Sequence, residues 1–311
     1  MKPDLIVTGP MYPPTLAVLD AAYTTHKLWD AKDRDALIAS LADRVTAVAS
    51  SNSGGIDGAT MAKLPKLKTI SHFGVGYDTV DVDAARKRGI TVTNTPDVLT
   101  DDVADIAIAL LLATVRKIPQ GDRYVREGKW LKGAMALTDT LQGKSVGIVG
   151  MGRIGRAIAK RAQAFNLKIA YQGPNRKNDV TWAYYADPVA LAKEVDFLIT
   201  ACPGGEATRG LVSRAVIDAL GPKGVFVNIS RGTVADEVAL LEALQQGRLG
   251  GAGLDVFVDE PNVPEGFLTL ENVVLQPHVG SASHQTRAAM GQLVIDNLAA
   301  HFAGKPLLTP V

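Results

Sequence analysis

The sequence predicts an α/β protein made of two doubly wound parallel-sheet domains, and three observations carry that prediction. Short apolar runs alternate with helix-patterned segments along most of the chain, the rhythm of strand–helix–strand crossovers and of a sheet covered on both faces. A glycine-rich turn, Gly150-Met151-Gly152-Arg153-Ile154-Gly155, lies between the apolar run Val146-Gly147-Ile148-Val149 and a helix pattern. The chain has 311 residues, 47% of them hydrophobic, which is more than one core usually serves. Because the glycine turn sits near mid-chain, roughly the first 100 residues must fold as a separate body.

In that first part, the strand runs are Leu5–Val7, Ala47–Ser50, Leu67–Ser71 and Ile90–Thr93, with helix patterns at Asp33–Leu41 and Val82–Arg88. Thr100 reads as a helix N-cap, followed by Asp101 and Asp102, whose charges suit the positive end of a helix. The helix is expected to continue through Ile118, where Pro119 stops it. Five further strand runs follow the glycine turn: Leu167–Tyr171, Phe197–Ala201, Val225–Ile229, Gly253–Val256 and Val273–Leu275. With Val146–Val149 they make six strands, the count of a full dinucleotide-binding sheet. A last helix pattern from about Ser283 to Ala303 carries Ala289, Leu293, Leu298 and Phe302, which suit packing against the first part. Residues 1–98 and 286–311 are therefore expected to form one discontinuous domain, and residues 99–285 the other.

Charge and composition exclude several functions. Lys and Arg number 33 against 32 Asp and Glu, a formal net charge of +1, so neither a nucleic acid nor a membrane surface is an expected partner. The longest apolar run, Ile106–Val115, spans half a bilayer and is flanked by Asp105 and Arg116, which makes it a buried helix. Cys202 is the only cysteine, and Lys2-Pro3-Asp4 leads directly into a strand run without a secretory pattern. Both point to a reducing, cytoplasmic compartment. No His, Cys or Asp cluster has metal-ligand spacing, so no metal is expected.

The glycine turn is read as a phosphate cradle. Backbone N–H groups at the start of a helix approach a pyrophosphate closely only where side chains are absent, and the helix dipole faces that charge. The strand before, the helix after and the second strand run about 20 residues on supply the context that a lone GxGxxG lacks. A selective NAD site carries a carboxylate at the end of that second strand. Here the stretch is Tyr171-Gln172-Gly173-Pro174-Asn175-Arg176-Lys177, with no acid before Asp179. Arg176 and Lys177, with the amide of Asn175, suit a ribose 2′-phosphate, so NADP(H) is the expected cofactor and NAD(H) the second choice.

Three charged residues stand where strands of such a sheet end. Arg231 follows Val225-Phe226-Val227-Asn228-Ile229-Ser230, Glu260 follows Leu254–Asp259, and His278 follows Val274-Leu275-Gln276-Pro277. Doubly wound sheets bind ligands at the carboxyl ends of their strands. A guanidinium there can grip a carboxylate, and a His–carboxylate pair makes a tuned proton donor.

Taken together, the motifs resemble the D-isomer-specific 2-hydroxyacid dehydrogenase family over essentially the whole chain. The segments that carry the resemblance are His72-Phe73-Gly74-Val75-Gly76-Tyr77-Asp78, Asn94-Thr95-Pro96-Asp97-Val98-Leu99-Thr100, the glycine turn, Asn228-Ile229-Ser230-Arg231-Gly232, Gly253-Leu254-Asp255-Val256 with Glu260-Pro261, and Gln276-Pro277-His278-Val279-Gly280. The likeness is greatest to the NADPH-dependent glyoxylate/hydroxypyruvate reductase and hydroxyphenylpyruvate reductase branches. It implies a flavodoxin-like substrate domain beside a Rossmann cofactor domain, a hinge between them, and a homodimer. It also implies that Arg231, Glu260 and His278 are catalytic and that the Val75 and Gly76 amides bind the substrate carboxylate. Arg153 and Ile154 then lie in the phosphate turn with Gly150, Gly152 and Gly155. Thr100, Cys202, Pro203, Asp255 and Gly280 match further cofactor-lining positions, although Cys202-Pro203-Gly204-Gly205-Glu206 departs from the Leu-Pro-Leu-Thr-Pro-Glu of many relatives. The implied reaction is reduction of glyoxylate or hydroxypyruvate to a D-2-hydroxy acid. Aromatic 2-oxo acids stand as the alternative substrate, and a dinucleotide-sensing protein without activity as the alternative class.

Ser51-Asn52-Ser53-Gly54-Gly55 follows a strand of the first domain, and its small polar groups suit either a substrate tail or a plain turn. Trp130 lies in a segment that in relatives reaches a partner subunit, or else plugs its own domain. His26, His72, His284 and His301 read as structural, with His72 beside the expected substrate loop.

Overall fold

Runs such as Leu5-Ile6-Val7 and Val225-Phe226-Val227 have no polar face, so they are stable only as strands covered on both sides, and each is fully or almost fully buried. The computed structural model describes residues 2–311. They divide into two units, the described residues up to Leu99 with Ser283–Val311, and Thr100–Ala282.

In order, the first unit contains β1 (Asp4–Val7), α1 (Pro13–Ala22), β2 (Thr24–Lys27), α2 (Arg34–Leu41), β3 (Ala47–Ser51), α3 (Gly58–Ala62), β4 (Thr69–Phe73), α4 (Val82–Lys87) and β5 (Thr91–Thr93). Its five strands are all parallel, in the order β2-β1-β3-β4-β5. That is the flavodoxin-like order, which reverses direction between β1 and β3. Asp33, Asp57 and Asp81 each accept a hydrogen bond from an amide three residues on and so start α2, α3 and α4. Ile6, Ile38, Val48, Met61 and Ile70 fill the core on one face.

The second unit contains α5 (Thr100–Val115), α6 (Ile118–Arg126), β6 (Ser145–Val149), α7 (Arg153–Ala164), β7 (Lys168–Gln172), β8 (Ala183–Tyr185), α8 (Pro188–Lys193), β9 (Phe197–Thr200), α9 (Arg214–Leu220), β10 (Val225–Asn228), α10 (Glu237–Gln245), β11 (Gly251–Leu254), α11 (Glu265–Leu268) and β12 (Val273–Leu275). Its sheet is parallel throughout, in the order β12-β11-β10-β9-β6-β7-β8. Phe226, Leu240, Leu254 and Phe267 anchor the core on one side, and α5 packs on β10 and β11 from within the same unit. The chain then re-enters the first unit as α12 (His284–Phe302), capped by Ser283 and packed on β3, β4 and α1. Beyond it, Pro310 pairs antiparallel with Thr93.

Four details differ from the sequence expectation. Strands β2 and β8 carry too much polar or exposed character to announce themselves, because an edge strand is covered less completely than a central one, and the second sheet has seven strands rather than six. Strand β11 begins at Gly251, earlier than the expected Gly253, and ends at Leu254. Thr100 is the first helical residue of α5 rather than its cap. Helix α5 ends at Val115, Lys117 turns the chain with φ of 50°, and Pro119 sits in the first turn of α6 instead of terminating the previous helix.

Candidate active site

The three glycines of the turn after β6 do different work. Gly150 has φ of +100°, and a Cβ there would lie 2.7 Å from the Cys202 backbone nitrogen. A Cβ on Gly155 would lie 2.1 Å from the Gly150 carbonyl oxygen, so only glycine lets α7 pack this closely on the turn. A Cβ on Gly152 would meet nothing within 4 Å. Gly152 is also the N-cap of the 12-residue α7 and brings no side-chain cap, so the first amides of the helix, at Arg153 and Ile154, open toward that space. This cradle fits a pyrophosphate.

The Asn175-Arg176-Lys177 turn follows β7. Tyr171 Oη accepts the Lys177 amide at 2.7 Å, and Tyr184 Oη donates to the Gly173 carbonyl at 3.1 Å, so two tyrosines with rings in tilted contact hold the turn in place. Asn175 and Arg176 are exposed, and Arg176 makes no ion pair among the described residues. Asp179, the acid nearest in sequence, is engaged by Arg156 at 2.9 Å. The charge left at the end of β7 is positive.

Arg231, Glu260 and His278 follow β10, β11 and β12, three adjacent strands of one sheet. Glu260 Oε2 lies 2.6 Å from His278 Nδ1, and Glu260 Oε1 accepts the Phe257 amide at 3.0 Å. Burial acts to raise the Glu260 carboxyl, but the His278 hydrogen bond, the Phe257 amide and the Arg231 charge hold it below the usual glutamate range. An ionised carboxylate can only accept, so Nδ1 of His278 carries hydrogen and Nε2 is the nitrogen left for chemistry.

His278 has a left-handed backbone, φ 54°, and a buried carboxylate explains how that is held. The His278 amide donates to the Asp255 carbonyl at 2.8 Å, while the Val279 and Gly280 amides donate to the Asp255 carboxylate at 2.7 and 2.8 Å. Burial raises the Asp255 carboxyl despite those two donors. A Cβ on Gly280 would sit 3.0 Å from Asp255 Oδ2, a tight contact against the carboxylate that holds the bend. Cys202 and Pro203 follow β9, where burial pushes the Cys202 thiol up to about 11 and keeps it protonated. Thr208 Oγ1 donates to the Pro203 carbonyl at 2.6 Å and shapes this departing segment. Thr100 opens α5, whose Val103 lies close to Gly280.

The substrate loop expected in the first unit has a defined polarity. Thr95 donates its amide to the Gly74 carbonyl at 2.9 Å, and Asn94 Nδ2 donates to the Val75 carbonyl at 2.9 Å. Across a trans peptide the next N–H points the opposite way, so the Val75 and Gly76 amides are turned away from those partners. They have no acceptor among the described residues. Of the neighbouring turn, Ser51 is buried with Oγ 3.1 Å from Ser53 Oγ, and Asn52 and Ser53 are exposed.

Sequence reasoning missed the residues that present Arg231. Asn228 Oδ1 accepts from the Ser230 amide at 3.0 Å and from Thr200 Oγ1 at 2.7 Å, while its Nδ2 donates to the Arg231 carbonyl at 2.9 Å. An asparagine closing the apolar strand Val225-Phe226-Val227 was the available signal. A Cβ on Gly232 would overlap the Phe257 carbonyl carbon at 1.9 Å, and this close approach sets the Arg231 turn against the segment that holds Glu260.

The family described as D-isomer specific 2-hydroxyacid dehydrogenase, NAD binding domain, matches residues 108–280. The chain is 51% identical over 293 residues to glyoxylate/hydroxypyruvate reductase A HPR2 of Arabidopsis thaliana, covering 94% of each sequence. It is 50% identical over 293 residues to hydroxyphenylpyruvate reductase of Plectranthus scutellarioides, with the same coverage. Among solved structures it is similar to an NADPH-dependent glyoxylate/hydroxypyruvate reductase from Sinorhizobium meliloti in complex with NADP and malonate, with a TM-score of 0.94, 46% identity, and coverage of 100% of this chain and 97% of the other.

Proposed function

The chain belongs to the D-isomer-specific 2-hydroxyacid dehydrogenases, and on that premise we propose that it reduces small 2-oxo acids, glyoxylate and hydroxypyruvate first, to D-2-hydroxy acids. It is an NAD(P)-dependent oxidoreductase that takes NADP(H) in preference to NAD(H). The observation that carries the reading is the Glu260–His278 pair at 2.6 Å, on the strand ends next to Arg231.

Each residue has a distinct task. Arg231 offers a planar fork of donors to the carboxylate and carbonyl of the 2-oxo acid, which orients and polarises the ketone. The Val75 and Gly76 amides take the carboxylate, and the unit that carries them is the substrate domain. His278 Nε2 donates a proton to the carbonyl oxygen, and Glu260 holds the ring by Nδ1. The cradle at Gly150–Gly155 holds the pyrophosphate, Arg176, Lys177 and Asn175 hold the 2′-phosphate, and Thr100, Cys202, Pro203, Asp255 and Gly280 line the rest of the cofactor. When bound, the reduced nicotinamide supplies the hydride for the carbonyl carbon.

A panel of glyoxylate, hydroxypyruvate and hydroxyphenylpyruvate assayed with NADPH and NADH tests the proposal. Turnover of the two small acids with NADPH is expected. Tight NADPH binding without turnover of any of them would favour a dinucleotide sensor instead, and preferential turnover of hydroxyphenylpyruvate an aromatic substrate.

The assembly we propose is a homodimer. Trp130 is 67% exposed, Leu131 94% and Leu137 99%, an apolar stretch next to α6, which buries no residue of its own. Sedimentation should give twice the chain mass of 32.8 kDa, and Trp130→Glu should shift the equilibrium toward the monomer. No helix among the described residues is long and apolar enough to cross a membrane, and with a single cysteine the cytoplasm is the proposed compartment. Cell fractionation that recovers the protein with membranes would contradict this.

A further inference from the structure

Beneath the candidate substrate loop lies a fully buried imidazole that the reaction does not use. His72, on β4, has Nδ1 2.9 Å from Ser50 Oγ, and its Nε2 is 3.0 Å from the Gly76 carbonyl and 3.1 Å from Asn52 Oδ1. We infer that His72 is a positioning residue that locks the Val75–Gly76 loop to the Ser51–Ser53 turn, and thereby sets the affinity for the carboxylate end of the 2-oxo acid. The inference rests on the proposed assignment of both segments to substrate.

The tautomer follows from the neighbours. A carbonyl oxygen can only accept, so Nε2 carries the hydrogen and shares it between Gly76 and Asn52, while Nδ1 accepts from the Ser50 hydroxyl. One N–H therefore ties together two segments that are more than 20 residues apart in sequence. The ring also lies directly under the start of the loop: the Gly74 amide donates to the His72 carbonyl at 3.1 Å, and a Cβ on Gly74 would sit 2.9 Å from Nε2. His72 thus supports the loop at Gly74 and holds it at Gly76, with Thr95 and Asn94 fixing the carbonyls of Gly74 and Val75 between. Four hydrogen bonds set the spacing of the two outward amides, and the imidazole is the partner that also reaches the neighbouring turn. Removing it leaves two carbonyl-type oxygens without their donor and lets the loop and turn move independently.

His72→Leu, His72→Gln and Ser50→Ala, assayed with glyoxylate and NADPH, test the inference. Leucine removes the donor, so KM for glyoxylate should rise about tenfold or more, while kcat and KM for NADPH stay within about threefold. Glutamine keeps an N–H near the position of Nε2 and should recover most of the loss. Ser50→Ala removes the group that holds Nδ1 as an acceptor, and should raise KM for glyoxylate about two- to fivefold even if the leucine variant fails to fold. An unmoved glyoxylate KM in a folded Leu variant, or in Ser50→Ala where the Leu variant does not fold, would overturn the inference while leaving the function intact. Equal losses in kcat and in NADPH binding would also overturn it, as the signature of a general structural role. A wild-type enzyme that reduces no 2-oxo acid would remove the proposed function, and this inference with it.

Discussion

One carboxylate oxygen, Glu260 Oε2, decides which nitrogen of His278 faces outward, and that choice turns an imidazole into a directed proton donor. Glu260→Gln keeps the size but removes the charge, so kcat/KM for glyoxylate should fall about 10- to 100-fold with little change in NADPH affinity. The pH dependence has a definite sign. A carboxyl held below its ordinary range stays ionised as pH falls, so the pair is complete above about pH 4.3 and is lost only as pH drops through the lowered value. An acid limb in the wild-type profile above that pH which disappears in Glu260→Gln would contradict the assignment. Arg176 admits a comparable test. In Arg176→Asp the NADPH to NADH ratio of kcat/KM should fall by about 100-fold, because a cation for the 2′-phosphate becomes an acceptor for the ribose hydroxyl. Arg231, Glu260 and His278 could be nominated from sequence because strand ends in such sheets face ligands. Asn228 and the backbone-holding task of Asp255 could not, since both act by hydrogen bonds to main chain that sequence does not display.

At the level of elements, the glycine turn separates two kinds of failure that one motif conceals. Gly152→Ala places a methyl group in open space with no protein neighbour within 4 Å, so the fold should tolerate it while NADPH Kd, measured by fluorescence titration, rises about tenfold. Gly155→Val drives a side chain into the Gly150 carbonyl and should lower the unfolding free energy by about 2 kcal/mol or more in urea titrations. Equal behaviour of the two variants would mean that the turn is structural throughout. Central strands such as β1, β9 and β10 were legible because each carries three consecutive apolar residues. Edge strands β2 and β8 were not, because each pairs on one side only and keeps polar or exposed positions that look like loop. Pro119 was legible as a boundary but not as to which side of it the helix lay, since proline suits a first turn as well as a stop.

In the molecule as a whole, stability has its own pH dependence. His301, near the end of α12, reaches back to Thr46 and Thr69 with ring nitrogens 3.0 and 2.8 Å from their hydroxyls, and burial holds its pKa below the ordinary histidine value. The unfolded chain then binds the proton more readily, so this contribution is present above about pH 6.5 and is lost as pH falls through the lowered value. Urea midpoints should decline from pH 8 to pH 5, and His301→Gln should flatten that decline; an unchanged slope would exclude His301 as its source. By itself, the sequence determined two parallel sheets, the phosphate turn, its basic neighbour and the three charged strand ends, because periodicity, glycine placement and charge obey rules that operate over a few residues. Only the tertiary structure decided the seventh strand, the tautomer of His278, the left-handed bend held by Asp255, and the way His72 joins two loops. Those depend on which distant backbone groups come within hydrogen-bonding distance, and that is a property of packing rather than of neighbouring letters.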